Sequence, residues 1–470
     1  MRLRLLITRG GPVLPGALAL AACAPSVTLP DRPGVVSEEW RQPLAGEATA
    51  APVERDLGAS LGAPELEILI ARAAERNADV AAAAARVGQA RSQLGIARAA
   101  MLPVVTGSAG VRATQTDNQG GPVFNFSDAF GGLDISYDVD LFGGASAGRR
   151  AARARFAAAA FDRDALALIV ETEVARTFVQ HAALSDRIAL LDRNIEQARE
   201  LERIIRVRLR AGDATRVDVG LQTIQVRELE AERIRLLEAL GRSRTAMAVL
   251  VGEEAPLFQM PAATLSDLRL PSIALVQPGD LLVRRPDVRA AEARIHAAEG
   301  DVGEARAAFL PRLRLSASAL GQAATLSGPV GATLAIGADL LAPIFNRRRL
   351  RGQLGVATAV QRETVELYRS ALLGALGEAE NALAASEQAR AREDLLVEIV
   401  AEATTTARLA RRQYLEGEVD LQWVLDAEQL LVRAQDARAV VRQERLEAAI
   451  DLYKALGGRP RADALVLESR

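Results

Sequence analysis

The chain has 470 residues, 58 of them basic and 60 acidic, with only 3 % aromatic side chains. A formal net charge of -2 gives no reason to expect a nucleic-acid partner, which needs a clustered basic surface. The scarcity of aromatics beside abundant Ala, Leu, Arg and Glu rules out a large aromatic core and favours long helices packed through small side chains. The lone cysteine, Cys23, excludes an intrachain disulfide. With only two histidines, His181 and His296, both in helical patterns, a zinc site lacks ligands.

Arg2 and Arg4 open a charged stretch, and Val13 to Ala22 follow as an apolar run too short to span a bilayer. It ends in Leu20-Ala21-Ala22-Cys23, small residues before a cysteine, which resembles a lipoprotein signal over residues 1–22 with Cys23 as the acylated first residue. A cysteine near an ordinary secretory cleavage site is the plainer alternative. Acylation accounts better for an unpaired thiol in an oxidising compartment. Buried acyl chains, at about 0.8 kcal/mol per CH2, would hold the protein to a membrane. Ala24 stands where an aspartate would signal inner-membrane retention, so the outer membrane is expected. Residues 23–64, rich in Pro, Gly, Ala and Glu without periodicity, read as an extended tether.

Beyond the tether the chain repeats itself. Ala97-Arg98-Ala99-Ala100-Met101-Leu102-Pro103 recurs as Ala305-Arg306-Ala307-Ala308-Phe309-Leu310-Pro311. At the same spacing Asp79-Val80 matches Asp287-Val288, and Arg86 matches Arg294. Two repeats are therefore expected, residues 65–275 and 276–458, with 459–470 a C-terminal tail. In each, a helix of roughly 35 residues stops at Leu-Pro, because proline removes a donor and restricts the residue before it. Two short strands follow, then a very long helix, a glycine turn at Gly212 or Gly417, and a returning helix.

The short segments alternate with period two. Val105, Gly107, Ala109, Val111 and Ala113 oppose Thr106, Ser108 and Arg112. Leu133, Ile135, Tyr137, Val139 and Leu141 oppose Asp134, Ser136, Asp138 and Asp140. Leu313, Leu315, Ala317 and Ala319 oppose Arg312, Arg314, Ser316 and Ser318, and Leu334, Ile336, Ala338 and Leu340 oppose Thr333 and Asp339. Each run is about 9–10 residues, the length of a tilted transmembrane strand. An amphipathic strand on a soluble core has the same pattern. Four such strands could not bury an apolar face on themselves, however, and no other sheet is evident. A barrel shared between subunits meets both the edge and the lipid problem.

The stretch from about Ala145 to Arg210 lacks proline and, at 1.5 Å per residue, spans about 100 Å; Arg347 to Leu415 is similar. Leu184, Ile188, Leu191, Ile195 and Ala198 step by four and three, as do Leu396, Val400, Ala403, Ala407, Ala410 and Tyr414. That spacing is a coiled-coil seam. No phosphate-binding glycine loop, metal cluster or nucleophile with a plausible base is present, so no enzyme, cofactor or metal is expected. A periplasmic coiled-coil adaptor or scaffold lipoprotein without a pore would explain the helices but not the strands or the Leu-Pro repeats.

Taken together, this pattern resembles the TolC family of outer-membrane efflux proteins, in the lipoprotein branch that includes OprM and NodT-type proteins. The residues that carry the resemblance are the duplicated Ala-Arg-Ala-Ala-x-Leu-Pro, Arg284-Arg285-Pro286-Asp287-Val288, Asp140-Leu141-Phe142-Gly143, Pro343-Ile344-Phe345, the glycine turns, Val424-Leu425-Asp426-Ala427 and Leu452-Tyr453-Lys454-Ala455-Leu456-Gly457-Gly458. The resemblance implies a mainly helical chain with a small β part. Three copies would contribute four strands each to a twelve-stranded barrel, continued by a helical periplasmic tunnel. It implies the channel component of a tripartite efflux or secretion system in the outer membrane. The partners would be a periplasmic adaptor, an inner-membrane pump and outer-membrane lipid, and the duct would pass small molecules passively.

The resemblance also implies a gate. A tyrosine three residues before the second-repeat glycine, Tyr414, would bond an acid six residues after the first-repeat glycine, Asp218. Asp426 would line the constriction, and Gly212 and Gly417 would be tips that meet the adaptor. This sequence departs from the pattern at Val419, where a latch arginine often stands, and at Trp423, where a second ring acid stands; Arg216 or an apolar plug of Trp423 would have to substitute. Solvated surface near a helix start remains the competing reading of Asp218 and Asp426.

Overall fold

The computed structural model describes residues 40–41, 57–116, 124–271, 277–323 and 329–458. Cys23, the signal segment, most of the tether and the tail 459–470 lie outside the described residues. One element order occurs twice: helices, two strands, a very long helix and a returning helix. The chain folds into two compact units.

The first comprises, among its described residues, Leu94–Arg153 and His296–Glu363. It holds β1 (Val104–Thr116), β2 (Phe124–Val139), β3 (Arg312–Ala323) and β4 (Val330–Leu341), an antiparallel sheet in that order. At 12 to 16 residues the strands are longer than the alternation alone delimits. The register places the four apolar sets on one face. Val105, Ile135, Ala317 and Ile336 form one cross-strand row, and Gly107, Leu133, Ala319 and Leu334 the next. Thr106, Asp134 and Ser318 share the other face. On that face Arg314 forks onto Asp138, its Nε 2.7 Å from Oδ1. Among the described residues, β1 and β4 each leave one edge without a partner.

The two Leu-Pro breaks are built alike. Helix α3 (Ala78–Ala99) and helix α7 (Pro286–Ala307) are both 22 residues long. Past α3, Met101 donates to the Arg98 carbonyl and Leu102 to Ala99; past α7, Phe309 donates to Arg306 and Leu310 to Ala307. The tightened turn uses up the last helical carbonyls before the proline opens a strand. Expected on β2, Asp140 and Leu141 fall outside it. Asp140 instead caps the long helix α4 (Gly144–Ala211), accepting from Ala145 N at 3.0 Å and Ser146 N at 2.8 Å. A carboxylate offered to unpaired helix-start amides outweighs one more step of strand alternation. Against α4, Gly300 comes so close that a Cβ there would lie 2.7 Å from the backbone nitrogen of Ala151.

The second unit holds α1 (Leu57–Leu61), α2 (Pro64–Arg76), α5 (Arg216–Leu250), α6 (Leu281–Arg284), α9 (Leu421–Ala455) and most of α4 and of α8 (Arg347–Glu416). The tether does not stay extended to residue 64: α1 buries Leu57 and Leu61 completely, and Trp40 packs against the cluster that includes Leu281, Leu383 and Leu452. The single helix expected over about 35 residues is broken at Asn77. Its side chain takes the amides of Asp79 and Val80 at 3.0 and 3.2 Å and donates to the Leu250 carbonyl at 2.9 Å. Asparagine competes with the helix for backbone partners, and here it wins because a neighbouring segment supplies an acceptor.

Phe178, Met247, Leu446 and Ile450 form the main core with Phe258, Leu265 and Leu268. Burying each such side chain contributes about 1.5–3 kcal/mol. The first seam is buried along its length, Leu184 through Ala198; in the second, Ala403, Ala407, Ala410 and Tyr414 are buried while Leu396 and Val400 are half-buried. Arg285 joins two motifs far apart in sequence. Almost fully buried, it forks onto Asp287 at 3.0 and 2.7 Å, reaches Glu378 at 2.8 Å and donates to the Ala455 carbonyl at 3.3 Å.

Candidate gate and helix tips

The two glycine turns share one hydrogen-bond pattern. Gly212 has φ +90° and Gly417 φ +81°, the left-handed region that closes a helix and turns the chain back. In the first turn Asp213 N donates to Arg208 O at 2.9 Å and Gly212 N to Leu209 O at 3.2 Å. In the second, Glu418 N donates to Gln413 O at 2.8 Å and Gly417 N to Tyr414 O at 3.1 Å. A Cβ built on either glycine meets nothing within 4 Å. The demand for glycine is therefore conformational, and both tips are open on their outer side.

Behind the turns lies a small core of Leu201 and Ile205 from α4, Ala407, Ala410 and Tyr414 from α8, and Leu421, Val424 and Leu425 from α9. Tyr414 is 7 % exposed. The Arg208 guanidinium covers its ring at 4.8 Å from the centroid, and Arg208 Nη1 donates to the Tyr414 carbonyl at 2.8 Å. Burial pushes the Tyr414 hydroxyl up from its ordinary value; the nearby Arg208 opposes this and the charge of Asp218 adds to it. The phenol therefore stays protonated at neutral pH and is available as a donor.

Asp218 sits at the start of α5 in a capping box. Its Oδ2 accepts from Thr215 N at 2.7 Å and Thr215 Oγ1 at 2.9 Å, while Asp218 N donates to Thr215 Oγ1 at 3.2 Å. Tyr414 and Asp218 are near enough for their charges to interact, but among the described residues no hydrogen bond joins them within the chain. Asp426 is exposed on α9 and accepts from Gln422 Nε2 at 2.9 Å. Val419, standing where the resemblance expects an arginine, is half-buried against the tip core. Trp423 is exposed, and Arg216 forms no ion pair among the described residues. The arginine that meets Tyr414 is thus Arg208, on α4 before the first glycine turn. Sequence reasoning missed it because nothing in a run of helical arginines marks the one that lies over a ring on another helix. Glu428, also missed, is half-buried on α9, and burial raises its carboxyl above the usual range, with Arg411 the partial offset.

Comparison with known proteins identifies the family. The family model "Outer membrane efflux protein" matches residues 69–253 and 278–458. The chain is 34 % identical over 466 residues to the pyoverdine export outer membrane protein OpmQ of Pseudomonas putida, covering 96 % of this chain and 98 % of that protein. It is similar in structure to a membrane protein from Pseudomonas aeruginosa at TM-score 0.84 and 27 % identity, over 92 % of this chain and 99 % of that one. It is also similar to the open state of the Neisseria gonorrhoeae MtrE outer membrane channel at TM-score 0.81 and 27 % identity, over 92 % and 98 %. The chain belongs to the outer membrane efflux protein family: it is an outer-membrane channel component of an efflux system, a passive duct and not an enzyme.

Proposed function

We propose that the chain works as a homotrimer, with the β4 edge of one copy pairing with the β1 edge of the next. Three sheets then close a twelve-stranded barrel, and the long helices of three copies line a conduit through the periplasm. The observation that carries this reading is the sheet itself, with one apolar face in register across all four strands and both outer edges unpaired among the described residues. Four strands cannot close around a pore, and an open edge is not tolerated in lipid. Acylation of Cys23 adds the anchor. Gly212 and Gly417 meet a periplasmic adaptor that couples the duct to an inner-membrane pump, and Tyr414, Asp218 and Asp426 form the gate behind them. The cargo is a small molecule delivered by the pump; the similar OpmQ is described as a pyoverdine export protein. The test is the detergent-solubilised protein in planar bilayers: a mass of three chains with discrete conductance steps is expected, and a stable pore-forming monomer would overturn the reading. For the anchor, Cys23→Ser should abolish incorporation of labelled fatty acid; normal labelling of that variant would remove it.

A further inference from the structure

The overall near-neutral balance conceals a local extreme. Residues 141–161 and 340–362 together hold nine arginines and no acid. Both stretches sit at one end of the sheet. Val104 begins β1 opposite Ser136 near the end of β2, Val139 pairs with Leu313, and Arg312 pairs with Leu341, so the chain enters α4 and α8 from the same sheet end. Arg149, Arg150 and Arg153 in the first turns of α4, and Arg347, Arg348, Arg349 and Arg351 in those of α8, are exposed. None forms an ion pair among the described residues, whereas several arginines farther along these helices do, Arg187 with Asp436 and Arg392 with Glu444 among them. Cations at a helix N-terminus work against the helix dipole; the start of α4 has only the capping carboxylate of Asp140 to set against three arginines, and α8 has no acid in its first turn. Such an arrangement asks for an external anion.

Directly beside the arginines the surface is apolar. Leu340, Leu341 and Ile344 are exposed, Phe345 is 99 % exposed, and Leu141 is exposed at the matching junction. β3 and β4, at 12 residues each, run about 40 Å along the strand and roughly 30 Å along the axis of a barrel tilted near 40°. That spans the apolar band of a membrane and brings the strand ends to headgroup level. An apolar anchor with unpaired cations at that depth matches an interface between hydrocarbon and anionic headgroups.

We propose that Arg149, Arg150, Arg153, Arg347, Arg348, Arg349 and Arg351 form a basic collar that binds anionic phospholipid headgroups of the periplasm-facing leaflet, seated by Ile344 and Phe345. This rests on the barrel reading above. The test compares the full trimer with R347Q/R348Q/R349Q/R351Q in nanodiscs of phosphatidylcholine with and without phosphatidylglycerol. Phosphatidylglycerol should raise the Tm of the wild-type trimer, high salt should erase the rise, and the variant should lack it. Phosphatidylglycerol retained per trimer after detergent purification should fall about tenfold or more. Lysine at the same four positions should keep most of the response, and R149Q/R150Q/R153Q should weaken it, so a variant that fails to assemble does not decide the matter. A wild-type Tm indifferent to phosphatidylglycerol, or a glutamine variant that keeps the response, overturns the proposal. So does a variant whose only change is ion selectivity, since the arginines would then line the lumen. Conductance of the same wild-type preparation separates the two readings: pores without a lipid response sink the collar alone, and absence of pores sinks the barrel.

Discussion

Arg208 lies 4.8 Å over the ring of Tyr414 while donating to that residue's own carbonyl at 2.8 Å. One side chain thus joins the last turns of α4 and α8, just before the two glycine tips. It grips the tyrosine by both its ring and its backbone. A ring-cation contact contributes about 0.5–2 kcal/mol and a hydrogen bond from a charged donor about 1.5–3 kcal/mol. An interaction of that size can hold a gate without welding it.

The first prediction concerns that gate. Arg208→Ala should raise single-channel conductance in planar bilayers while leaving trimers intact, and Tyr414→Phe combined with Asp218→Ala should do the same. Because Asp218 also caps α5, Thr215→Ala is the control: it removes the cap, at about 1 kcal/mol, and keeps the acid. If Thr215→Ala opens the channel as much as the double variant, Asp218 acts through its cap. Unchanged conductance in the double variant would remove Tyr414 and Asp218 from the gate.

The second prediction concerns the sheet. Leu315 shares its face with Tyr137 and Ala338, and Ser316 lies on the other. Cysteine at Leu315 should react with a lipid-soluble reagent and cysteine at Ser316 with a polar one. Leu315→Arg should cost about 2–4 kcal/mol if the position lies near the membrane midplane. The opposite labelling would mean that the sheet faces were assigned the wrong way round.

The strands, the long helices and the glycine turns were legible in the sequence because each rests on a periodic or conformational rule: period two, a four-three seam, a Leu-Pro stop. What escaped were side chains that act across elements. Asp140 reads as one more polar strand position, yet it caps α4, because unpaired amides five and six residues on pull it out of the alternation. Asn77 looks like an ordinary helical residue until the Leu250 carbonyl arrives from α5 to hold it. Arg208 is one of several arginines on its helix, and only tertiary packing singles it out. Val419 stands where the resemblance expects a latch arginine, and the arginine that meets Tyr414 is neither there nor at Arg216 but at Arg208, on another helix.

The third prediction concerns pH. His181 is buried on α4, with Nδ1 2.8 Å from Ser243 Oγ on α5. Burial, helped by the charge of Arg244, lowers its pKa from the ordinary 6.5. The unfolded chain therefore takes up a proton near pH 6.5 that the folded chain refuses. Stability carried by neutral His181 is complete above that pH and drains away as pH falls below it, at up to about 1.4 kcal/mol per pH unit. The denaturation midpoint should fall between pH 7 and pH 5, and His181→Gln should flatten that fall. An equal fall in the variant would place the pH dependence elsewhere.

The last prediction concerns Asp426. It is exposed on the first turns of α9, with only Gln422 bonded to its carboxylate, and no arginine neutralises it among the described residues. If three copies face one another across a constriction, their like charges repel. The ring then attracts cations and disfavours anions at the mouth. Asp426→Ala should weaken cation preference in planar bilayers and relieve block by polyvalent cations, while Asp426→Glu should keep both. The effect should shrink at high salt, where the Debye length falls to about 3 Å at 1 M. Trp423, exposed one turn earlier on the same helix, supplies the contrast. Replacing it with alanine should change conductance, if it narrows the mouth, without changing ion preference. Ion selectivity that survives Asp426→Ala would return that residue to the solvated face of a helix.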